Sequence, residues 1–100
     1  MRVIAKRALR QFWEGHPRGA EAKGALQVWH SATEAADWST PADLKESHGD
    51  ASILKGSRVV FNIAGNKFRL VARINYPYRV VYVRFVGTHE EYDHISAETI

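Results

Sequence analysis

Beyond residue 57 the hydrophobic period of the chain changes, and that change constrains the fold more than any other feature. Residues 58–63, 67–74 and 79–86 each alternate β-branched or aromatic side chains with polar ones, and are separated by Ala64-Gly65-Asn66 and by Asn75-Tyr76-Pro77-Tyr78. A period of two sends successive side chains to opposite faces of a strand, so the runs read as three strands of an antiparallel meander. Parity then assigns the faces. Val59, Phe61, Ile63, Phe68, Leu70, Ile74, Val81, Val83 and Phe85 point one way and form the core side. Arg58, Asn62, Lys67, Arg69, Arg73, Tyr82 and Arg84 point the other way, which predicts an open basic sheet surface.

The first half has a helical period instead. Residues 2–5 suit a short strand, after which Ala5, Leu9, Phe12 and Trp13 recur at helical spacing up to Gly15. Pro17 suits the first turn of a second helix, whose stripe is Ala22, Leu26 and Trp29 and whose exit falls at 31–36. The two helices would form an antiparallel pair. Thr40 can cap a short helix through Asp43 and Glu46, and residues 47–57 read as an exposed loop. Trp13 and Trp29 are expected in the core or at its edge, whereas the place of Trp38 is open. His16, His30 and His48 are expected at the surface or at helix ends. The fold class is α+β: N-terminal helices packed on one face of a small antiparallel sheet. A chain of 100 residues, 45% of them hydrophobic, supports one such core, so residues 1–100 are read as a single domain.

Charge is sorted along the sequence. Residues 1–54 balance their cations with acids. Lys55, Arg58, Lys67, Arg69, Arg73, Arg79 and Arg84 then follow with no acid among them, before an acidic tail carrying Glu90, Glu91, Asp93 and Glu98. A one-signed block of this kind favours a polyanion, most often nucleic acid, although an acidic protein would suit it too. The chain has no cysteine, which removes disulfides and thiolate-ligated zinc. No apolar run is long enough to span a bilayer or resembles a secretory leader, so the expected location is the cytoplasm, with no membrane partner.

The tail brings chemistry to this block. His89 and Tyr92 lie three residues apart and would share a face in a turn of helix. Cleavage of RNA by internal attack needs a base for the 2′-hydroxyl proton, cations for the phosphorane oxygens and an acid for the leaving 5′-oxygen. Histidine suits either proton-transfer role, tyrosine can donate a proton or orient phosphate, and Arg69 and Arg73 offer forked donors to phosphate. His89, Glu90, Asp93 and His94 also have spacing compatible with two metal ligands on one helical face, but match no dedicated metal motif. Glu90 and Glu91 oppose a phosphate site by their charge.

Trp38, Asp43-Leu44-Lys45, the run from Arg58 to Ile63 (RVVFNI), the run from Gly65 to Val71 (GNKFRLV) and the run from Thr88 to Asp93 (THEEYD) fall in an order and spacing that resembles the HigB toxins of the RelE-like superfamily. The resemblance covers residues 38–95. It implies a compact toxin with helices packed against an antiparallel sheet, which degrades mRNA on the translating ribosome until a HigA-type helix-turn-helix antitoxin neutralises it. No cofactor is implied. By the same resemblance Arg69 contacts the scissile phosphate, His89 acts as base or acid, and Tyr92 corresponds to a C-terminal aromatic of the site. Arg58, Lys67, Arg73, Tyr82 and Arg84 are expected to bind RNA because of the face they share, not because of a motif. The competing expectations are a non-catalytic RNA- or ribosome-binding module, and a scaffold whose basic face is covered by an acidic protein. Neither requires His89 or Tyr92.

Overall fold

The computed structural model describes residues 1–100. Its elements are β1 (Arg2–Ile4), α1 (Lys6–Gly15), α2 (Gly19–Ala35), α3 (Pro41–Ser47), β2 (Ser52–Ile53), β3 (Arg58–Ile63), β4 (Phe68–Asn75), β5 (Val80–Thr88) and α4 (His89–Tyr92). The five strands form one sheet in the order β1-β5-β4-β3-β2. Every pairing is antiparallel except that of β1 with β5. The α+β architecture expected from the change of period is the one observed, with a parallel edge added by the first strand.

Local chemistry sets the boundaries. Thr40 Oγ1 accepts the Asp43 N–H at 3.2 Å and Pro41 occupies the first turn of α3. Ala64 and Gly65 adopt positive φ in the turn between β3 and β4, a conformation that glycine enters without penalty. Pro17 does not open α2 as its residue type suggests. It lies in the corner between α1 and α2, where the Gly19 N–H donates to His16 O at 2.9 Å and α2 begins.

The main core lies between the helices and one face of the sheet. Leu9 and Phe12 of α1, Ala22, Leu26 and Trp29 of α2, and Leu44 of α3 meet Val59, Phe61, Ile63, Phe68, Leu70, Ala72, Ile74 and Val81. Trp38 joins them at 3% exposure, its indole N–H donating to Ser47 Oγ at 3.0 Å. His30 is also buried, contrary to its expected surface position, with Nδ1 3.4 Å from Glu34 Oε1. His48 caps the C-terminus of α3 with its ring edge-on to Trp38 and Phe61, and burial holds its imidazole below the usual histidine range.

Two sequence expectations are corrected by the strand pairing. The stretch 47–57 is not wholly loop, because Ser52 and Ile53 pair with Val60 and Val59. Phe85 does not face the helices: the register shifts between Val71 and Ala72, leaving Arg84 as the extra residue, and beyond it parity reverses. Val86 therefore packs on the helix-side core while Phe85 goes to the opposite face.

The corner between α1 and α2 depends on Gly19. A Cβ there would lie 2.4 Å from Phe12 O and 2.6 Å from Trp13 Cα. These are backbone atoms, so Gly19→Ala should cost about 1–3 kcal/mol through forced separation of the helices. Equilibrium chemical denaturation checks this, and a stability equal to the wild type would mean that the corner has room.

Candidate nucleic-acid interface

Register arranges the face turned away from the helices in rows. Arg58, Arg73 and Tyr82 stand side by side at one end, Val60, Val71 and Phe85 cross the middle, and Asn62, Arg69 and Gly87 form the other end. Just beyond Arg69 the His89 N–H donates to Lys67 O at 3.0 Å, so the start of α4 is tied to the hairpin between β3 and β4. Arg73 lies four residue steps along β4 from Arg69, roughly 13 Å at the rise of a strand.

The middle row is not open. Ala97, with Ile95, Ile100, Tyr92 and Leu54, packs over Val60, Val71 and Phe85 as a second, smaller core. The acidic tail thus folds back across the sheet and divides the expected continuous basic surface into two ends. At the far end Arg58 is occupied, donating through Nε and Nη2 to Ile100 O at 3.1 and 2.6 Å and through Nη1 to Gly56 O at 3.0 Å. Arg73 remains exposed beside Tyr82, and both line a small cleft with Ser57, Asn75 and Tyr76. Arg84 belongs to neither end. It stands at the bulge on the free edge of β5, where it lines a groove shared with Ala8, Gln11 and Gly15 of α1.

The near end gathers Lys67, Arg69, His89 and Tyr92. Arg69 is half-buried, and Nη1 donates to Asn66 O and Phe68 O while Nη2 donates to Asn66 Oδ1 at 2.8 Å. These bonds hold the guanidinium over the hairpin turn and leave further donors free. No carboxylate neutralises Arg69 or Lys67 by an ion pair. His89 is partly exposed, with Nδ1 3.7 Å from Asp93 Oδ2, longer than a hydrogen bond. Tyr92 shares the turn, but its ring packs into the tail's apolar cluster. His89, Glu90, Asp93 and His94 do not converge as metal ligands: no group of three or more His, Asp or Glu side chains does so anywhere in the structure.

The α4 turn opens on a cap. Thr88 Oγ1 accepts the Glu91 N–H at 3.1 Å, and Glu91 Oε1 accepts the Thr88 N–H at 2.8 Å, a reciprocal capping box. Glu91 also accepts from His16 Nε2 at 3.0 and 3.1 Å. The carboxyl is held below the usual glutamate range, first by the Thr88 N–H and then by His16. Glu90 is likewise lowered, mainly by its own backbone N–H, with the Thr88 hydroxyl, Arg18 and His89 contributing. The two glutamates that seemed to oppose a phosphate site are therefore turned to structural use or balanced by Arg18. His16 is the residue of this end that its sequence position did not single out, since nothing in the spacing joins residue 16 to residue 91.

Helices packed on one face of a small, mostly antiparallel sheet are consistent with a RelE-like fold. Residues 22–95 match the HigB toxin family, described as the RelE-like toxic component of a toxin–antitoxin system, and the chain belongs to that family. It is 29% identical over 99 residues to the mRNA interferase toxin HigB of Escherichia coli K12, covering 97% of this chain and 92% of that one. Identity to the mRNA interferase HigB of Shigella flexneri is also 29% over the same span. That to the mRNA interferase HigB of Escherichia coli O6:H1 is 24% over 98 residues.

The lowered carboxyl gives a pH prediction with a definite sign. A depressed folded pKa stabilises above the ordinary glutamate value of 4.5 and loses that stabilisation as pH falls through the depressed value. Glu91→Gln keeps the capping geometry but lacks the titration. Wild type should therefore be the more stable at neutral pH, and the two should converge in acid. Denaturation midpoints measured from about pH 7 to pH 3 check this, and a gap that persists unchanged would contradict the assignment of the charge.

Proposed function

We propose that this toxin is an mRNA interferase, an endoribonuclease that inhibits translation by cutting mRNA on the translating ribosome. The observation that carries the reading is the near end of the sheet. There the backbone of His89, on a capped turn, is bonded to Lys67 beside Arg69, two cations that form no ion pair. The names of the related proteins support the same substrate.

In this mechanism the RNA 2′-oxygen attacks the adjacent phosphorus as its proton is taken up, and the 5′-oxygen departs with a proton. Arg69 contacts the scissile phosphate, where its remaining N–H donors stabilise charge growing on the phosphorane oxygens. His89 serves as base or acid, and Tyr92 donates a proton or orients the phosphate from the edge of the tail cluster. The chemistry is general acid–base catalysis that requires no metal or other cofactor. Lys67 holds the RNA backbone at this end, and Arg73 and Tyr82 engage it at the far end, Tyr82 by stacking. Arg84 extends the positive field along the β5 edge. Arg58 adds charge to the far end while its guanidinium is bonded to the tail.

A protein with this much unpaired basic surface needs a partner that keeps it from RNA, and the partner proposed is a HigA-type helix-turn-helix antitoxin. No helix is long and apolar enough to cross a membrane. Ribosome-bound mRNA as substrate places the working site in the cytoplasm.

Induction in bacteria tests the reading. Wild type should arrest growth and leave transcripts cut within reading frames. Arg69→Ala and His89→Ala should each slow cleavage by roughly 10²- to 10³-fold while melting like the wild type. If both variants cut at the wild-type rate, the chemistry lies elsewhere on the molecule. If the wild type binds RNA but leaves every transcript whole, the chain is a binding module.

A further inference from the structure

His16 ends α1, its backbone N–H donating to Phe12 O at 2.9 Å and its ring stacked on Phe12 with centroids 4.6 Å apart. Nδ1 accepts the Arg18 N–H at 3.0 Å. A backbone donor at Nδ1 requires a lone pair there, so the neutral ring carries its proton on Nε2 and donates it to Glu91. The side chain is only 21% exposed, so packing and hydrogen bonds fix both the tautomer and the aim of the ring.

Glu91 passes this restraint to the site. Its Oε1 holds the Thr88 N–H, the residue before His89. The same oxygen lies 3.1 Å from where a Cβ on Gly87 would stand, and Gly87 is in register with Arg69. The corner between α1 and α2 grips the other side of the site too. Phe12 meets Phe68 edge-on at 5.8 Å and the Arg18 guanidinium lies 5.2 Å from the Phe68 ring, so both touch the residue immediately before Arg69. A turn of four residues such as α4 has little stability of its own. Its orientation is imposed from outside, and His16 is the side chain that reaches it from the helical layer.

We infer that His16 is a positioning residue for RNA cleavage, locking the α4 turn through Glu91 so that His89 is held in reach of the phosphate bound by Arg69. The inference rests on the reading of His89 and Arg69 as the cleavage centre. His16 touches no reacting atom in this role. Its removal acts on the rate of the bound complex and leaves RNA affinity, which the cations supply, unchanged.

The test compares wild type, His16→Ala, His16→Gln and His89→Ala, using a short single-stranded mRNA segment for affinity and transcript cleavage on translating ribosomes for rate. His16→Ala should lose roughly 10- to 100-fold in cleavage at saturating substrate with RNA affinity unchanged. His16→Gln, whose amide N–H can still donate to Glu91, should recover most of that loss at a melting temperature no higher than that of His16→Ala. Full activity in His16→Ala alongside an inactive His89→Ala would overturn the inference and leave the cleavage centre standing. Losses in both His16 variants that merely follow the lost folded fraction would also overturn it, because His16 would then be structural only. Full activity in His89→Ala would remove the cleavage centre itself, and the inference with it.

Discussion

The structure depends on β4 being buried on both of its faces. Leu70, Ala72 and Ile74 pack under the helices, and Val71 packs under the folded-back tail, all four at 2% exposure or less. A central strand sealed in this way cannot slip in register, because a shift of one residue would exchange its two apolar sets and drive Arg69 and Arg73 into the cores. The cations are thereby confined to the strand's ends. Arg69 lies beside the hairpin and α4, and Arg73 lies beside Arg58 and Tyr82. The site is a consequence of how the sheet is covered.

Charge follows the same logic. The tail that supplies Ile95, Ala97 and Ile100 to the second core also brings four acids, Glu90, Glu91, Asp93 and Glu98, to an anion-binding surface. Two of them are engaged by neighbouring groups. Glu91 is consumed by the Thr88 N–H and His16, Glu90 is balanced in part by Arg18, and Asp93 stands no closer than 3.7 Å to His89. Glu91 uses one carboxylate both to cap a turn and to receive a bond from a different layer of the protein.

Legibility in the sequence followed periodicity and failed where contacts are remote. The three long strands, the helix stripes through Leu9, Leu26 and Trp29, the Thr40 cap and the helical turn of His89 and Tyr92 were readable, because each is set by residues within one turn or one strand. Phe85 was misplaced because a bulge carries no clear signature in an alternating run, and one inserted residue reverses every face beyond it. The covering of Val60 and Val71 by Ala97 was invisible for another reason. Both valines occupy positions that parity assigns to the outer face, and only an apolar segment arriving from elsewhere makes them a core. Trp38 and His30 are buried by the way α2 and α3 sit on the sheet, which local pattern does not encode.

The near end also shows why a toxin of this size uses most of its chain. Three segments distant in sequence meet there: the corner at residues 12–19, the hairpin at 64–69 and the turn at 87–92. They are tied to one another: the corner closes at Gly19, the hairpin's Lys67 O accepts the His89 N–H, and the turn's Glu91 accepts from both the Thr88 N–H and His16. In the proposed cleavage Arg69 and His89 act on one phosphate, which requires that they be held to within a fraction of an ångström. A two-layer protein of 100 residues has few rigid points from which to do this. A sheet end sealed by a helical corner on one side and a capped turn on the other is such a point, and it couples the arginine to the histidine through backbone rather than through long flexible side chains.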